Sequence, residues 1–361
     1  MKARDLASGG AQSRSGVTDL AARSPSPRLS PAGGRWCSIL VWLLTLLLVF
    51  CQATIWYQPR SHLLSLLDQF AVQLTGLAMI ATVLALAIRL WARALALVLL
   101  AATLSWPIVA SREQPVMVSG SDRLKILSAN LWHSATGHDR TIKVLMASDA
   151  DVIGLVEVGP DWRGPLVPLL AKYPYQVDCI EAGRLCQVML LSKLPIQRPY
   201  SGRIWHATPA VAGGDLTWNG RTLTVLATHL YRPLAGIGES EHGEGDRAHR
   251  DYLGKRLPLT RQAGQAGMLA KYLNNLPRDL VVMGDLNSAP WSGVQRAFRD
   301  RTGLKNQAGW IFTWPSGLPW PLRLPLDHVL ARGHLAVTKF AAGPETESDH
   351  LPVIAEVGWR D

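Results

Sequence analysis

The sequence predicts an α/β domain preceded by transmembrane helices, and three features of the 361-residue chain predict it. Long apolar stretches without charge occur before residue 111, which predicts helices that cross a bilayer. Apolar strands then alternate with helical patterns, which predicts a sheet covered by helices. One strand after another ends at a polar side chain, so we expect a functional site where the strand ends meet.

Three apolar stretches have a length suited to a transmembrane helix. Residues 38–57 are twenty residues without a charge, and residues 70–88 form the second stretch. Residues 94–110 form the third, whose seventeen residues are the short limit for a crossing. We expect three transmembrane helices, with a re-entrant third segment as the alternative. The aromatic side chains near the ends of these stretches, as expected at membrane interfaces, are Trp36, Trp42, Trp56, Tyr57, Trp91 and Trp106.

The positive charges predict the orientation in the membrane. The arm 1–37 is rich in Ser, Gly, Pro, Ala and Arg, so we expect it to be disordered, and it holds six Lys and Arg against two Asp. Arg89 and Arg93 lie between the second and third stretches. Because cytoplasmic loops are enriched in Lys and Arg, we expect a multi-pass protein of the inner (cytoplasmic) membrane with the arm in the cytoplasm. A linker, 111–121, then leads to a domain, 122–361, outside the cytoplasm; with a re-entrant third segment, the domain faces the cytoplasm.

The net charge of the domain does not exclude any class of anionic substrate. The whole chain carries a net charge of +10, but residues 121–361 account for only +4. Much of the basicity therefore belongs to the membrane topology. The domain suits an anionic substrate without requiring nucleic acid.

Two cysteines of the domain are candidates for a disulfide. Cys179 and Cys186 flank a predicted hairpin turn and could pair in an oxidising compartment, with free thiols as the alternative. Without a third or fourth ligand nearby, they make a poor zinc site.

Periodicity divides the domain into strands and helices. The Asn219-Gly220 pair predicts a hairpin turn, and the polar, basic segment 236–255 predicts a long surface loop. Helical spacing occurs over 138–148 and 260–273. Strands are predicted over 124–129, 152–156, 186–191, 222–228, 280–284, 326–330 and 352–357.

Polar residues follow these strands. Asp285 and Asn287 lie two residues apart after the apolar run 280–284, so strand geometry points both to one face. Asp-x-Asn alone is also an ordinary loop-capping pair. The other strands favour a functional interpretation, because they end at or follow Asn130, Glu157, His229 and the pair Asp349 and His350.

These segments, in this order, resemble the endonuclease/exonuclease/phosphatase superfamily, the fold of DNase I, abasic-site endonucleases, neutral sphingomyelinases and inositol-phosphate 5-phosphatases. The matching segments cover about residues 122–359: LSANLW, DVIGLVEV, VMLLSKLPI, ATHL, VVMGDLNSAP, LDHVL and SDHLPVIAEV. The resemblance implies a four-layer α/β sandwich, with two packed mixed sheets between outer helices. It also implies a phosphoester hydrolase with its site at the strand-end edge.

The resemblance assigns roles that suit the residue types. Hydrolysis of a phosphoester must neutralise charge and deprotonate water, and oxygen ligands select Mg²⁺, with Mn²⁺ as a possible substitute. Glu157 is the first choice as a metal ligand, with Asn130 and Asp349 as further metal ligands. In the catalytic set, His350 would act as general base or orient the water, and Asp327 would fix its ring.

The remaining roles concern the phosphate. His229 would donate to a phosphoryl oxygen or to the leaving group, Asp285 would position the water, and Asn287 would hold the phosphate oxygens. Other polar and aromatic residues have weaker interpretations. His328 is expected to pack in the core or in a hairpin, and no role is assigned to His133, His138 and His206. The tryptophans expected to pack are Trp132, Trp218 and Trp314, of which Trp314 could also line the site. The arginines expected either to be solvated or to bind phosphate are Arg232, Arg247, Arg250 and Arg261.

The substrate stays open at this point. The main hypothesis is a membrane-anchored, metal-dependent hydrolase of phosphodiesters that resembles a nuclease. A phospholipid or inositol phosphate phosphoesterase is the second hypothesis, because tethering places the site near a bilayer. A non-catalytic binding protein on the same fold is the third. The expected partners are the membrane and an anionic phosphoester, nucleic acid or lipid, and no stable protein partner is evident.

Overall fold

A computed structural model describes residues 31–57, 64–180, 186–204, 209–233 and 261–360. Most of the predicted arm, the predicted loop 236–255, His206, Arg247 and Arg250 lie outside these residues. The first helix begins at Pro31, so the last seven residues of the predicted arm 1–37 are helical rather than disordered.

Three helices precede the α/β domain: α1 (Pro31–Tyr57), α2 (Ala71–Ala87) and α3 (Trp91–Ala110). A 3-10 helix, Leu64–Phe70, leads into α2. By length and composition, Arg35–Tyr57, Leu66–Ala87 and Trp91–Ala110 can each cross a membrane. The third is 20 residues long, because it begins three residues before the predicted start, which brings it to the usual length of a crossing.

The membrane helices pack through small residues. Ala78, Ala81 and Ala85 on one face of α2 are fully buried and share a cluster with Leu97 and Leu104 of α3. Small side chains let helix backbones approach closely, which is how helices associate where lipid removes the hydrophobic driving force. α2 and α3 therefore form a packed hairpin.

The described residues of the domain form eleven strands and four further α-helices. The helices are α4 (Asp139–Ala147), α5 (Val167–Lys172), α6 (Arg261–Leu273) and α7 (Gly293–Thr302). The strands are β1 (Leu124–Asn130), β2 (Val152–Val156), β3 (Tyr175–Ile180), β4 (Gln187–Ser192), β5 (Ile196–Arg203), β6 (Ala210–Trp218), β7 (Arg221–His229), β8 (Leu280–Asp285), β9 (Asp327–Arg332), β10 (Leu335–Ala342) and β11 (Val353–Trp359).

The strands form two mixed sheets. The six-stranded sheet has the order β10-β11-β1-β2-β4-β3, and the five-stranded sheet has the order β5-β6-β7-β8-β9. β1 and β2 are parallel, as are β7 and β8, and the other described pairs are antiparallel. The parallel pairs place the carboxyl ends of adjacent strands at one edge, which is where a ligand site forms in such sheets.

The core lies between the sheets, and helices cover both outer faces. Val152 and Val225 are fully buried in the cluster between the sheets. Leu145 of α4 and Leu169 of α5 pack on the outer face of the six-stranded sheet, and Phe298 of α7 packs on the five-stranded sheet. The fold is therefore the four-layer α/β sandwich that the sequence predicts.

Four strands, β3, β5, β6 and β10, were not predicted from periodicity. β5 is largely exposed and contains Pro199, as an edge strand can, so it has no apolar alternation. β6 contains Gly213 and Gly214, which weaken the strand signal, but a Cβ at either would meet a neighbouring strand closer than 3.0 Å. These strands depend on their neighbours, so local propensity does not reveal them.

Cys179 and Cys186 form a disulfide between β3 and β4, with 5.2 Å between their Cα atoms. The predicted turn between them lies outside the described residues. Cys37 and Cys51 are free thiols, and both belong to α1.

The 3-10 helix Leu64–Phe70, which leads into α2, contacts the domain through buried hydrogen bonds. The backbone N–H of Ala289 donates to Oε1 of Gln69 at 2.6 Å, and that of Gly293 donates to Oδ2 of Asp68 at 2.8 Å. An apolar cluster surrounds these bonds, and it comprises Ala71, Val72, Ile108, Ala289, Trp291, Trp310 and Phe312. The domain is thus docked on the ends of α2 and α3 as well as joined to α3 by the linker.

His328 gives the domain a pH-dependent stability. Its ring is buried, 4% exposed, and Nε2 lies 2.8 Å from the carbonyl oxygen of Ser288, so His328 belongs to the core as the sequence predicts. Burial lowers the pKa of His328 to about 4. Below pH 6.5 the unfolded chain binds a proton that the folded chain does not, so stability falls with falling pH until about pH 4.

We expect this histidine to remove up to about 3 kcal/mol of unfolding free energy between pH 7 and pH 4. His328→Gln keeps an N–H donor for Ser288 and cannot titrate, so its stability should fall less over this range. Urea unfolding of the full chain in detergent micelles at both pH values measures the difference. Equal losses for the wild-type chain and the variant would contradict this role.

Candidate active site

The candidate active site lies at one edge of the sandwich, where strand ends of both sheets meet. In the six-stranded sheet, β1 ends at Asn130 and β2 leads directly into Glu157. In the five-stranded sheet, β7 ends at His229, β8 ends at Asp285 and β9 begins at Asp327. Because β9 runs antiparallel to β8, its first residue pairs with the last residue of β8 at the same edge.

The carboxyl group of Glu157 is ionised at this edge of the sandwich. Its Oε1 accepts from Nδ2 of Asn130 at 3.1 Å, and its Oε2 accepts from the backbone N–H of His133 at 3.0 Å. Nδ1 of His133 lies 2.6 Å from Oε2, and Nε2 of His229 lies 3.9 Å from Oε1. Burial by itself raises the pKa of Glu157, but the charge of His229 and the hydrogen bonds from His133 and Asn130 outweigh it and lower the pKa to about 2.

Asn130 connects Glu157 to Asp285. Its Nδ2 donates to Oδ2 of Asp285 at 3.1 Å as well as to Glu157, and its Oδ1 accepts from the backbone N–H of Trp132 at 2.9 Å. An amide oxygen has two lone pairs, so Oδ1 keeps one for a further partner. Asn130 therefore spaces two carboxylates and retains a neutral oxygen donor.

Asp285 and Asn287 are oriented by the turn after β8. The backbone N–H of Asn287 donates to Oδ1 of Asp285 at 2.8 Å, and its Nδ2 donates to the carbonyl of Leu230 at 2.9 Å. The same Nδ2 lies 3.1 Å from Nε2 of His229. Gln262 of α6 donates to the carbonyl of Asn287 at 2.6 Å. The predicted pair thus points into the same site as His229, and α6 supports it from behind.

His350 stands between two carboxylates. Its Nδ1 lies 2.8 Å from Oδ2 of Asp327, and its Nε2 lies 3.6 Å from Oδ2 of Asp285. Burial by itself lowers the pKa of His350, but the charges of Asp327 and Asp285 outweigh it and raise the pKa to about 10. Burial raises the pKa of Asp285 to about 6, against the opposing effect of His350. The two carboxylates thus stabilise the imidazolium form of His350, which is the form this arrangement favours near neutral pH.

Asp349 contacts Trp314. Nε1 of Trp314 donates to Oδ2 of Asp349 at 2.9 Å, and the backbone N–H of Ser316 donates to the carbonyl of Asp349 at 2.8 Å. The Trp314 ring centroid lies 6.3 Å from that of His350, so Trp314 lines the site. The described contacts of the Asp349 carboxylate lead to Trp314 and not to Glu157.

Two sets of side chains could bind a divalent cation. Asp285, Asp327 and His350 each offer a ligand atom, and these atoms lie within 4.8 Å of one another. The second set is the Glu157 carboxylate beside the amide of Asn130. Carboxylate and amide oxygens are hard donors, so the residues present fit Mg²⁺ or Mn²⁺.

Three residues of the site have left-handed backbone conformations that residues other than glycine rarely adopt. The φ angles are 53° at Trp132, 58° at Glu157 and 48° at Asn287. Such conformations cost free energy and persist where the surroundings fix them. Each of these residues lies one or two residues after a strand end.

Gly284 allows β7 and β8 to approach each other at the site. Its φ is +138°, and a Cβ built on it would lie 1.8 Å from the carbonyl oxygen of Thr228. We expect Gly284→Ala to destabilise the fold by at least about 3 kcal/mol, through clash and strain together. Thermal unfolding of the full chain in detergent measures the loss. Gly303→Ala is the matched control, because Gly303 also has a positive φ, of +68°, but open space around it; an equal loss in both variants would refute the clash.

The structure brings together seven of the eight predicted site residues. Asn130, Glu157, His229, Asp285, Asn287, Asp327 and His350 form one network of contacts, and Asp349 reaches it through the chain and through Trp314. The sequence analysis did not identify His133 and Gln262 as residues of the site. It favoured a solvent-exposed position for Arg232, but Nη2 of Arg232 lies 4.0 Å from Oε1 of Glu157. His133 follows Asn130 by three residues, and this proximity to a strand end was the available signal.

The chain is similar to known proteins in sequence and in fold. The sequence profile of the Endonuclease/Exonuclease/phosphatase family matches residues 127–350. The inositol phosphosphingolipids phospholipase C of Saccharomyces cerevisiae is 28% identical over 177 residues, which are 43% of this chain and 33% of that protein. The chain thus matches about a third of the length of this relative.

Two solved structures are similar to the domain. Sphingomyelinase C from Streptomyces griseocarneus has a TM-score of 0.44 and 19% identity, over 65% of this chain and 99% of that chain. A beta toxin variant from Staphylococcus aureus with bound magnesium ions has a TM-score of 0.45 and 15% identity, over 66% of this chain and 100% of that chain. The family profile covers more than half of the chain, including every predicted site residue. This chain therefore belongs to the Endonuclease/Exonuclease/phosphatase family.

Proposed function

We propose that this chain is a membrane-anchored hydrolase that cleaves phosphodiesters with the help of a divalent cation. The observation that carries the proposal is the continuous network that joins His350, Asp285, Asn130 and Glu157 at one sheet edge. It combines an imidazole held by carboxylates with anionic and neutral oxygen donors, which are groups that water attack on a phosphate can use.

Glu157 is the proposed principal metal ligand. Its low pKa keeps it anionic, whereas Asp327 is already engaged by Nδ1 of His350. Asn130 and Asp349 are the proposed further oxygen ligands, with Asp349 exchanging its contact with Trp314 for the ion. A bound Mg²⁺ or Mn²⁺ would supply the positive charge that neutralises the phosphoryl oxygens.

The proton path runs through His350. His350 would orient the attacking water, or accept its proton through Nε2 where a cation bound beside Asp285 offsets the carboxylates that raise the pKa of the ring. The water oxygen then bonds to phosphorus, and the bond from phosphorus to the leaving oxygen breaks. Asp327 holds the ring through Nδ1, and Asp285, 3.6 Å from Nε2, positions the water. His229 donates a proton to the leaving oxygen or a hydrogen bond to a phosphoryl oxygen.

The phosphate itself is bound by neutral and cationic donors. Nδ2 of Asn287 lies 3.1 Å from Nε2 of His229. Both side chains can therefore contact the same oxygen atoms of the substrate. Arg232 is 58% exposed in its side chain and lies at the Glu157 side of the site, where it could pair with a phosphate oxygen. These donors offer an anionic substrate hydrogen bonds and, through Arg232, a positive charge.

Two phosphodiester classes are proposed as substrates. A lipid-linked phosphodiester is favoured by the yeast relative, named for phosphosphingolipids, and by the apolar helices that hold the domain at a bilayer. Nucleic acid is the second class, since the same central residues serve it equally.

The domain is proposed to face away from the cytoplasm of an inner membrane. The Cys179–Cys186 disulfide supports an oxidising compartment. The positive charges of the N-terminal arm support the same orientation, because they are retained on the cytoplasmic side.

The proposal is tested with the full chain in lipid nanodiscs. Hydrolysis would be measured on bis-p-nitrophenyl phosphate, plasmid DNA and headgroup-labelled phospho- and sphingolipids, each with Mg²⁺ and with EDTA. We expect turnover with Mg²⁺ that EDTA abolishes. The control His334→Ala should keep its activity, since His334 lies in the turn between β9 and β10 and pairs with Asp279. A folded protein that hydrolyses none of these substrates would contradict the enzyme function and leave a binding role.

A further inference from the structure

We propose that residues 317–322, which we name the apolar loop, form a second membrane-binding surface that enters the lipid headgroup region beside the active site. This inference concerns attachment, so it rests on α2 crossing the membrane and not on catalysis. Its partner is the bilayer itself.

The apolar loop is exposed although it carries no charge. Its sequence is Gly-Leu-Pro-Trp-Pro-Leu, and Leu318, Trp320 and Leu322 are 42%, 65% and 55% exposed. Among the described residues after α3, the other exposed large hydrophobic side chains are Met117, Val167 and Tyr175, which are scattered along the sequence. Exposed apolar side chains that cluster in one short segment mark an interaction surface.

A contact with a transmembrane helix fixes the height of the apolar loop. Nε2 of Gln73, in the first turn of α2, donates to the carbonyls of Pro321 and Arg323 at 3.0 Å each. Pro321 lies between Trp320 and Leu322, so both side chains are held at the level where α2 enters the bilayer. This level is the interface between headgroups and acyl chains, where Trp side chains are enriched in membrane proteins.

Hydrogen bonds within the domain hold the apolar loop in shape. Arg323 donates through Nε to the carbonyl of Leu318 and through Nη2 to the carbonyl of Ser316, both at 2.6 Å. Trp314 and Leu324 pair by backbone hydrogen bonds across the base. A preformed apolar surface enters a bilayer without the cost of ordering a flexible segment.

The base of the same segment belongs to the active site. Trp314 donates to Asp349, and the hydroxyl of Ser316 donates to the carbonyl of Ser348 at 3.0 Å. The segment therefore connects the His350 side of the site to the lipid surface. Insertion of the apolar loop would hold the mouth of the site at headgroup height.

Lipid fits the apolar loop better than a protein partner does. The continuity with α2 places the surface against the annulus of lipids around the helix hairpin, which is present wherever the chain is inserted. Residues that lack charge and include Trp, Leu and Pro suit this environment, in which a buried charge would be costly.

A depth-resolved quenching experiment tests the inference. In the full chain with Cys37→Ser and Cys51→Ala, Leu318→Cys or Leu322→Cys would carry an environment-sensitive NBD label. The labelled chains would be reconstituted into vesicles of phosphatidylcholine and phosphatidylglycerol, with spin-labelled lipids as quenchers. We expect the label at both positions to shift to shorter emission wavelength and to lose most of its emission.

Two matched positions calibrate the result. Met79→Cys, 60% exposed on α2, is the lipid-facing control and should be quenched. Val167→Cys, also 60% exposed but on α5 outside the six-stranded sheet, should stay bright. Labels at Leu318 and Leu322 that stay as bright as that at Val167, while Met79 is quenched, would overturn the inference. Because the readout is optical, it is independent of any catalytic activity.

Discussion

His350→Ala is expected to lower kcat/KM for phosphodiester hydrolysis about 10²–10⁴-fold, the usual contribution of a positioned general base. The imidazole lies 3.6 Å from Asp285 and is fixed by Asp327, so its removal takes away the group that orients the water or accepts its proton. Steady-state kinetics on bis-p-nitrophenyl phosphate and on the best natural substrate would measure the loss.

Two further measurements separate this role from a structural one. Imidazole added to the buffer should restore part of the rate of His350→Ala, because it can enter the cavity and accept the proton. Asp327→Asn should lower the rate while leaving the ring in place. A rate for His350→Ala within about tenfold of wild type would remove His350 from the proton path.

Glu157→Gln is expected to weaken Mn²⁺ binding at least about 100-fold, since the loss of outer-sphere partners alone costs up to that factor. The substitution keeps the shape and the acceptor oxygen that Asn130 contacts, but it removes the charge that His229 and His133 stabilise. Mn²⁺ titration followed by electron paramagnetic resonance measures the affinity without any turnover. Activity should fall in parallel and recover in part at high Mg²⁺ concentration.

The control for this experiment is Glu356→Gln. Glu356 pairs with Lys339 on the six-stranded sheet and is not part of the site network. Its Mn²⁺ affinity should match that of the wild-type chain. If Glu157→Gln bound Mn²⁺ with unchanged affinity, the ion would instead be bound by Asp285, Asp327 and His350.

The sequence was sufficient for the parts of the fold that local rules determine. The three apolar stretches became helices, and the strands that end at Asn130, His229 and Asp285 were identified because they are buried on both faces and end at a polar residue. The convergence of these ends follows from the parallel pairing of adjacent strands. The order of the motifs along the chain identified the sandwich.

Other features depend on contacts that periodicity does not contain. His133 reaches Glu157 because Trp132 has a φ of 53°, a conformation that no local propensity of tryptophan predicts. Gln69 and Ala289 are 220 residues apart in sequence, so their hydrogen bond exists only after the domain docks on the helices. Gly-containing β6 and exposed β5 likewise form only against their neighbours.

The hydrogen bonds from Ala289 and Gly293 to Gln69 and Asp68 connect the loop after β8 to the segment that leads into α2. Ala289 is two residues after Asn287, so the loop that carries this residue of the site is hydrogen-bonded to the segment entering α2. Coupling of this kind is reciprocal: the contact stabilises the loop by the same free energy by which the ordered loop stabilises the contact. The docking of the domain on the helices and the order of this loop are therefore coupled.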